Sequence, residues 1–186
     1  MARYMGVDLS GPRRRSAYAL MDDDFTCSAG HFFANGELLG LVEAEKPLLV
    51  AVDAPLSLPS RGYMRLCDEA MARLGLKPLP PLLGGMRVLT ERGVALRAAL
   101  EEAGYTVIEV FPGGAKKILG LPRKSVEGLR RGLEGIGVKL VADAVDMDVL
   151  DAVVAAFTAL SYARGRYFAV ETEECRVVFP LPPRDG

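Results

Sequence analysis

Three short apolar runs in this sequence each carry a carboxylate at or near the C-terminal end. That repetition constrains the fold more than any other feature. Residues 5–9 contain Asp8, residues 48–52 lead straight into Asp53, and residues 106–111 carry Glu109. Runs this short and this apolar read as strands covered on both faces, central in a sheet flanked by helices. Burying a carboxylate among such residues is costly unless it is paired or ligates a cation. In open α/β sheets, ligands bind outside the C-terminal ends of the strands. Three acids along one such edge point to a shared compensating cation.

The chain around these runs gives the architecture. Residues 16–21 and 27–33 read as two further strands joined by an Asp22-Asp23-Asp24 turn, which predicts an antiparallel meander. Helices are predicted over 36–46, 63–74, 86–103, 113–119, 125–133 and 148–163. A hairpin or pair of edge strands is predicted over 167–170 and 176–179. The Pro- and Gly-rich stretch 76–85 is a predicted loop, and the tail 180–186 is expected to fray. A meander followed by strands that alternate with helices predicts a mixed α/β sheet with helices on both faces. No repeat, linker or composition break divides the 186 residues, which predicts a single domain over 1–186.

A fourth acidic group opens the helix predicted over 148–163. Asp148 and Asp151 lie three apart and project from one face of its start. Asp148 suits a helix cap as well as a ligand, whereas Asp143 and Asp146 are expected to be solvated. Ala152, Ala155 and Ala156 keep this helix slim enough to approach the sheet and deliver Asp151 to the acidic edge. Asp and Glu without His or Cys select hard cations, Mg²⁺ or Mn²⁺. Asp8, Asp53, Glu109 and Asp151 are thus the candidate catalytic residues, and with Asp148 the candidate ligands of one or two ions. Two such ions about 4 Å apart would activate a water and stabilise the leaving oxygen in phosphodiester hydrolysis.

Several motifs match a known family at this point. Gly6-Val7-Asp8-Leu9-Ser10 and Ala51-Val52-Asp53-Ala54-Pro55-Leu56-Ser57-Leu58-Pro59 resemble the family called domain of unknown function 429. Arg65-Leu66-Cys67-Asp68, Ile108-Glu109-Val110-Phe111-Pro112, Glu127-Gly128-Leu129 and Leu150-Asp151-Ala152-Val153-Val154-Ala155-Ala156 continue the match in family order. Members of that family are labelled predicted nucleases of the RNase H-like fold. The resemblance implies a five-stranded mixed sheet of order 3-2-1-4-5, with Asp8 on its first strand. It puts Asp53 or Glu109 at the second acidic position, and Asp151 with Asp148 on the last helix. The stretch 61–104 exceeds a minimal domain of this kind and predicts a helical insertion over the site. The activity implied is a metal-dependent nuclease or phosphodiesterase. Its alternatives are a phosphotransferase of the related actin-like group and a non-catalytic binding module on the same fold.

Charge bears on the substrate. Lys and Arg number 23 against 24 Asp and Glu, a balance that excludes a protein that coats DNA with positive charge. The charges are unevenly placed, however. Residues 115–140 hold seven basic side chains and two acidic ones, a net +5. Arg13, Arg14 and Arg15 follow Asp8 directly. These arginines, with Lys116, Lys117 and Lys124, are the candidate contacts to a nucleic-acid backbone of RNA, DNA or hybrid. His31 is the only histidine and is expected to be structural, which leaves no Ser-His-Asp triad. Cys27, Cys67 and Cys175 are too widely spaced for a zinc or dithiol motif, Cys67 is expected to pack within a helix rather than act as a nucleophile, and a disulfide among the three is left open. A lone Asn, no Gln and 12 Pro resemble a thermophile composition. A charged start and no apolar stretch long enough to span a bilayer predict a soluble, cytoplasmic protein.

Overall fold

The computed structural model describes residues 1–182. Its strands are β1 (Arg3–Asp8), β2 (Ser16–Asp22), β3 (Thr26–Phe32), β4 (Leu49–Asp53), β5 (Thr106–Val110), β6 (Lys139–Val141), β7 (Tyr167–Glu171) and β8 (Arg176–Pro180). Its helices are α1 (Asn35–Glu45), α2 (Leu66–Arg73), α3 (Met86–Glu102), α4 (Pro112–Ile118), α5 (Val126–Gly135) and α6 (Met147–Ala163).

One sheet holds all eight strands in the order β6-β3-β2-β1-β4-β5-β8-β7. The expected 3-2-1-4-5 order lies intact at its centre. β1, β2 and β3 form the antiparallel meander, and β4 and β5 follow in parallel beside β1. Five strands is corrected to eight. β8 adds in parallel to β5, β7 pairs back on β8, and β6 adds in parallel to β3. The tail is corrected too: Pro180 closes β8, and the Leu181 N–H donates to the Arg166 carbonyl. Residues 183–186 lie outside the described residues.

The two faces bury different helices. One face of β1, β4 and β5 presents Tyr4, Leu49, Ala51, Ile108 and Val110 to α6, with α4 and α5 beyond it. The other presents Met5, Val7, Val50 and Val52 to α1 and α3, through Leu38, Val42, Leu96 and Leu100. Helix α6 is buried along almost its whole length, which explains why its sequence is apolar all round rather than striped. Within 61–104, α3 covers the sheet in this way, and α2 with the loop after it stands over the C-terminal ends of the strands. A Cys67–Cys175 disulfide ties α2 to the β7–β8 turn and decides the pairing that the sequence leaves open. Among the described residues, no helix is long and apolar enough to cross a membrane.

Candidate active site

Register builds the acidic edge. Asp8 ends β1 and Asp53 ends β4, and the parallel pairing sets the two directly opposite each other. Their carboxyls lie within hydrogen-bond reach of one another and line a cleft at the strand ends. Both are held above the usual carboxylate range. Desolvation is the largest cause for each, followed for Asp8 by the charges of Asp53 and Asp151, and for Asp53 by that of Asp151. Carboxylates this close cannot both ionise cheaply and tend to share a proton.

Helix α6 brings Asp151 to the same edge, and Gly6 permits it. A Cβ on Gly6 would stand 2.2 Å from both the Ala152 carbonyl oxygen and the Ala156 nitrogen. Only glycine lets the helix backbone lie that close to β1. Lys116 of α4, 6% exposed, donates from Nζ to Asp151 Oδ1 at 2.6 Å. Asp151 nevertheless sits above its ordinary range, because desolvation outweighs the pull of Lys116 and Asp148 pushes the same way. The sequence makes Lys116 a candidate contact to the nucleic-acid backbone. It is corrected to a buried partner of the acidic edge.

The start of α6 sorts the remaining acids. Asp146, not Asp148, caps the helix, its Oδ1 accepting from the Val149 N–H at 2.9 Å. Its Oδ2 accepts from Arg15 at 3.0 Å and lies 2.9 Å from His31 Nε2. Asp146 is therefore not the solvated residue expected but the post at which β3, the β1–β2 loop and α6 meet. Asp148, relieved of capping, faces Arg14 Nη2 at 3.4 Å. Asp143 is exposed.

Glu109 reaches the same cleft, where its charge acts on Asp53, but from the other face of the sheet. It pairs across the sheet with Val52 rather than with Asp53. Paired residues share a face, so Glu109 sits on the α3 side while Asp8 and Asp53 sit on the α6 side. Arg65, 1% exposed, closes over it with Nη2 to Oε1 at 2.6 Å and Nη1 to Oε2 at 2.8 Å. The Leu56 N–H donates to the same carboxylate at 3.0 Å. Arg65 also grips Asp68 through two contacts of 2.9 Å and reaches Ser57 Oγ at 3.0 Å. Sequence reasoning gave Arg65 no role, and its one signal was the Arg65-Leu66-Cys67-Asp68 match. Among the described residues, no three Asp, Glu, His or Cys side chains are so grouped that they could hold a metal ion as placed. Arg65 takes up Glu109, and Lys116 takes up Asp151.

The rest of the basic flank is divided. Lys117 and Lys124 are exposed, with Lys117 Nζ donating to the Gly75 carbonyl at 2.9 Å. Arg130 and Arg131 pair with Glu134 and Glu127 along α5. Lys139 belongs to β6 and faces Asp24 at 3.5 Å. Arg13, Arg14 and Arg15 are exposed on the loop beyond Asp8.

Comparisons with known proteins bear on the family and the fold. The family model described as "Protein of unknown function (DUF429)" matches residues 6–175. The solved structure of Thermus thermophilus RuvC in complex with a Holliday junction substrate superposes with a TM-score of 0.52 at 16% identity. That match covers 89% of this chain and 96% of the other. A second Thermus thermophilus RuvC structure superposes with a TM-score of 0.50 at 14% identity, covering 88% of this chain and 96% of that one. At such identities the likeness shows the fold, which is RNase H-like. No curated protein matches the sequence.

Proposed function

We propose that this chain, which belongs to the DUF429 family, is a divalent-cation-dependent nuclease that hydrolyses phosphodiester bonds in nucleic acid. The observation that carries the reading is the opposed pair Asp8 and Asp53. Both are desolvated and held above their ordinary range at the C-terminal edge of the sheet, where α6 adds Asp151. Negative charge gathered at such cost is what a hard cation compensates, and a donor set made only of carboxylate oxygens fits Mg²⁺ or Mn²⁺.

Asp8, Asp53 and Asp151, joined by Asp148, would hold one or two such ions. When bound, a divalent cation there supplies Lewis acidity for the attack of water on phosphorus and for departure of the alkoxide. Lys116 holds the Asp151 carboxylate in place and keeps a positive charge beside the edge. Arg65 keeps Glu109 neutralised and pins the chain at Leu56, so Glu109 acts on the site as a positioning residue. Arg13, Arg14 and Arg15 on one rim, with Lys117 and Lys124 on the other, would hold the phosphate backbone.

The test uses the full chain with Mn²⁺ or Mg²⁺ on RNA, DNA, hybrid and four-way-junction substrates. The junction is included because the RuvC neighbour was solved with one. Cleavage is expected to need the cation and to vanish in Asp8→Asn and in Asp151→Asn, while thermal melting shows both variants folded. Cleavage by both variants at the parent rate would overturn the assignment.

A further inference from the structure

Two pockets adjoin the acidic edge and share one side chain. The first is a cleft of about 260 Å³ that begins at Asp8 and Asp53. Its walls are apolar: Met71 from α2, Leu79 from the following loop, Met86 and Leu89 from α3, and Phe111. The polar groups at its base, Arg65, Asp68 and Glu109, are engaged with one another and leave little to bind a charged ligand. It is smaller than the roughly 300–1,000 Å³ of pockets that take drug-sized ligands, and so is sized for a single ring system. The second pocket lies on the far side of Phe111 and is basic, with Lys77, Lys117 and Arg123 in its wall. Lys77 holds a left-handed backbone, φ 52°. Such a conformation costs a non-glycine residue free energy, and it places this lysine against the groove.

Resting on the nuclease reading, we propose that the substrate is an unpaired strand. One nucleobase enters the apolar cleft while its phosphodiester lies at the acid pair, and the next phosphate lies on Lys77, Lys117 and Arg123. Phe111, half-exposed between the two pockets, offers an edge or face to the base. A base can enter the cleft only by leaving its stack. That costs a few kcal/mol in a duplex and much less in a single strand. The α2–α3 segment supplies most of the apolar wall, which gives the extra length of this region a part in substrate choice.

The test is binding, read separately from cleavage. The probe is a fluorescently labelled 12-mer carrying 2-aminopurine, prepared as single-stranded DNA, single-stranded RNA and duplex. Its affinity for the full chain is measured by anisotropy with Ca²⁺ in place of Mg²⁺. A single strand is expected to bind at least tenfold tighter than the duplex, and the DNA and RNA arms show which sugar is preferred. Met86→Trp, which fills the cleft, and Leu79→Asp, an exposed change that leaves packing intact, should each weaken single-strand binding about tenfold or more. Neither should affect a probe with an abasic site at the recognised position. Lys77→Ala with Arg123→Ala should flatten the salt dependence of log K by up to about 0.7, the share of the one phosphate they hold. Duplex bound as tightly as single strand, no effect of either cleft variant, or no binding at all would each overturn the proposal. The nuclease reading is judged separately, on the cleavage assay. If cleavage fails while the single strand still binds through the cleft, that reading falls and the pocket assignment stands.

Discussion

The chemistry of single residues turns on which carboxylates have a partner. Glu109 has one in Arg65, and Asp151 has one in Lys116, but among the described residues Asp8 and Asp53 have no hydrogen-bonded cation and face each other, with only the charge of Lys116 acting on Asp53. That inequality gives a pH dependence. Both members of the pair bind a proton more tightly in the folded chain than in the unfolded one, where such groups titrate near 4. Their favourable contribution is complete below about pH 4 and is lost as the pH climbs through the raised folded values. Asp8→Asn removes the repulsion. In chelator, the variant should melt about 5 °C above the parent at pH 8, with the gap closing toward pH 4, given 2–4 °C per kcal/mol for a chain of this size. A gap independent of pH would contradict the account. Added Mn²⁺ should stabilise the parent more than the variant, because the ion binds the deprotonated pair. The acids themselves were legible in the sequence because Asp8, Asp53 and Glu109 lie at or near the ends of apolar runs and Asp151 lies at the start of an apolar helix. Their partners were not, because Arg65 and Lys116 are basic residues in stretches that read as surface, and only packing turns them inward.

Between elements, the contact of α6 with β1 decides whether the site exists. Gly6, Ala152 and Ala156 set a separation at which backbone meets backbone, and Asp151 sits one residue before Ala152. Gly6→Ala should push α6 outward, since the obstructing atoms are main-chain and cannot swing aside. A loss of about 3 kcal/mol or more is expected in chemical denaturation, at or beyond the upper end for overpacking. Weaker Mn²⁺ binding by calorimetry should accompany it as Asp151 moves from the edge. An unchanged midpoint would show that the helix floats more freely than this packing allows. The alanines of α6 announced the close approach in the sequence. The elements that escaped the sequence were those with too little pattern: β6 has three residues, too few to show an alternation, and it is a strand only because β3 offers an edge.

At the scale of the whole molecule, a disulfide and a set of hydrogen bonds tie the α2 region to the β7–β8 turn. Cys67 and Cys175 are 108 residues apart in sequence, and their disulfide fixes α2 against the β7–β8 turn. Glu174 beside it accepts from the backbone N–H groups of Ser60 and Leu66. A loop of that length ties up considerable chain entropy, so Cys67→Ala with Cys175→Ala should cost about 2–5 kcal/mol in denaturant midpoint. The parent in reductant should fall by a similar amount, and indifference to both would mean the thiols are unpaired in solution. The spacing of the cysteines said nothing of this bond, because distance along a chain does not report distance in the fold. The meander, the parallel strands beside it and the acids at their ends are legible in the chain alone. Those follow from local patterns of apolar and polar residues and from turn chemistry. Tertiary structure alone decided that Asp8 and Asp53 stand opposite while Glu109 turns to the other face, since a one-residue offset between β4 and β5 reverses the direction of a side chain. No local pattern carries register between strands that are 53 residues apart. It is set where the helices on both sides find their closest packing.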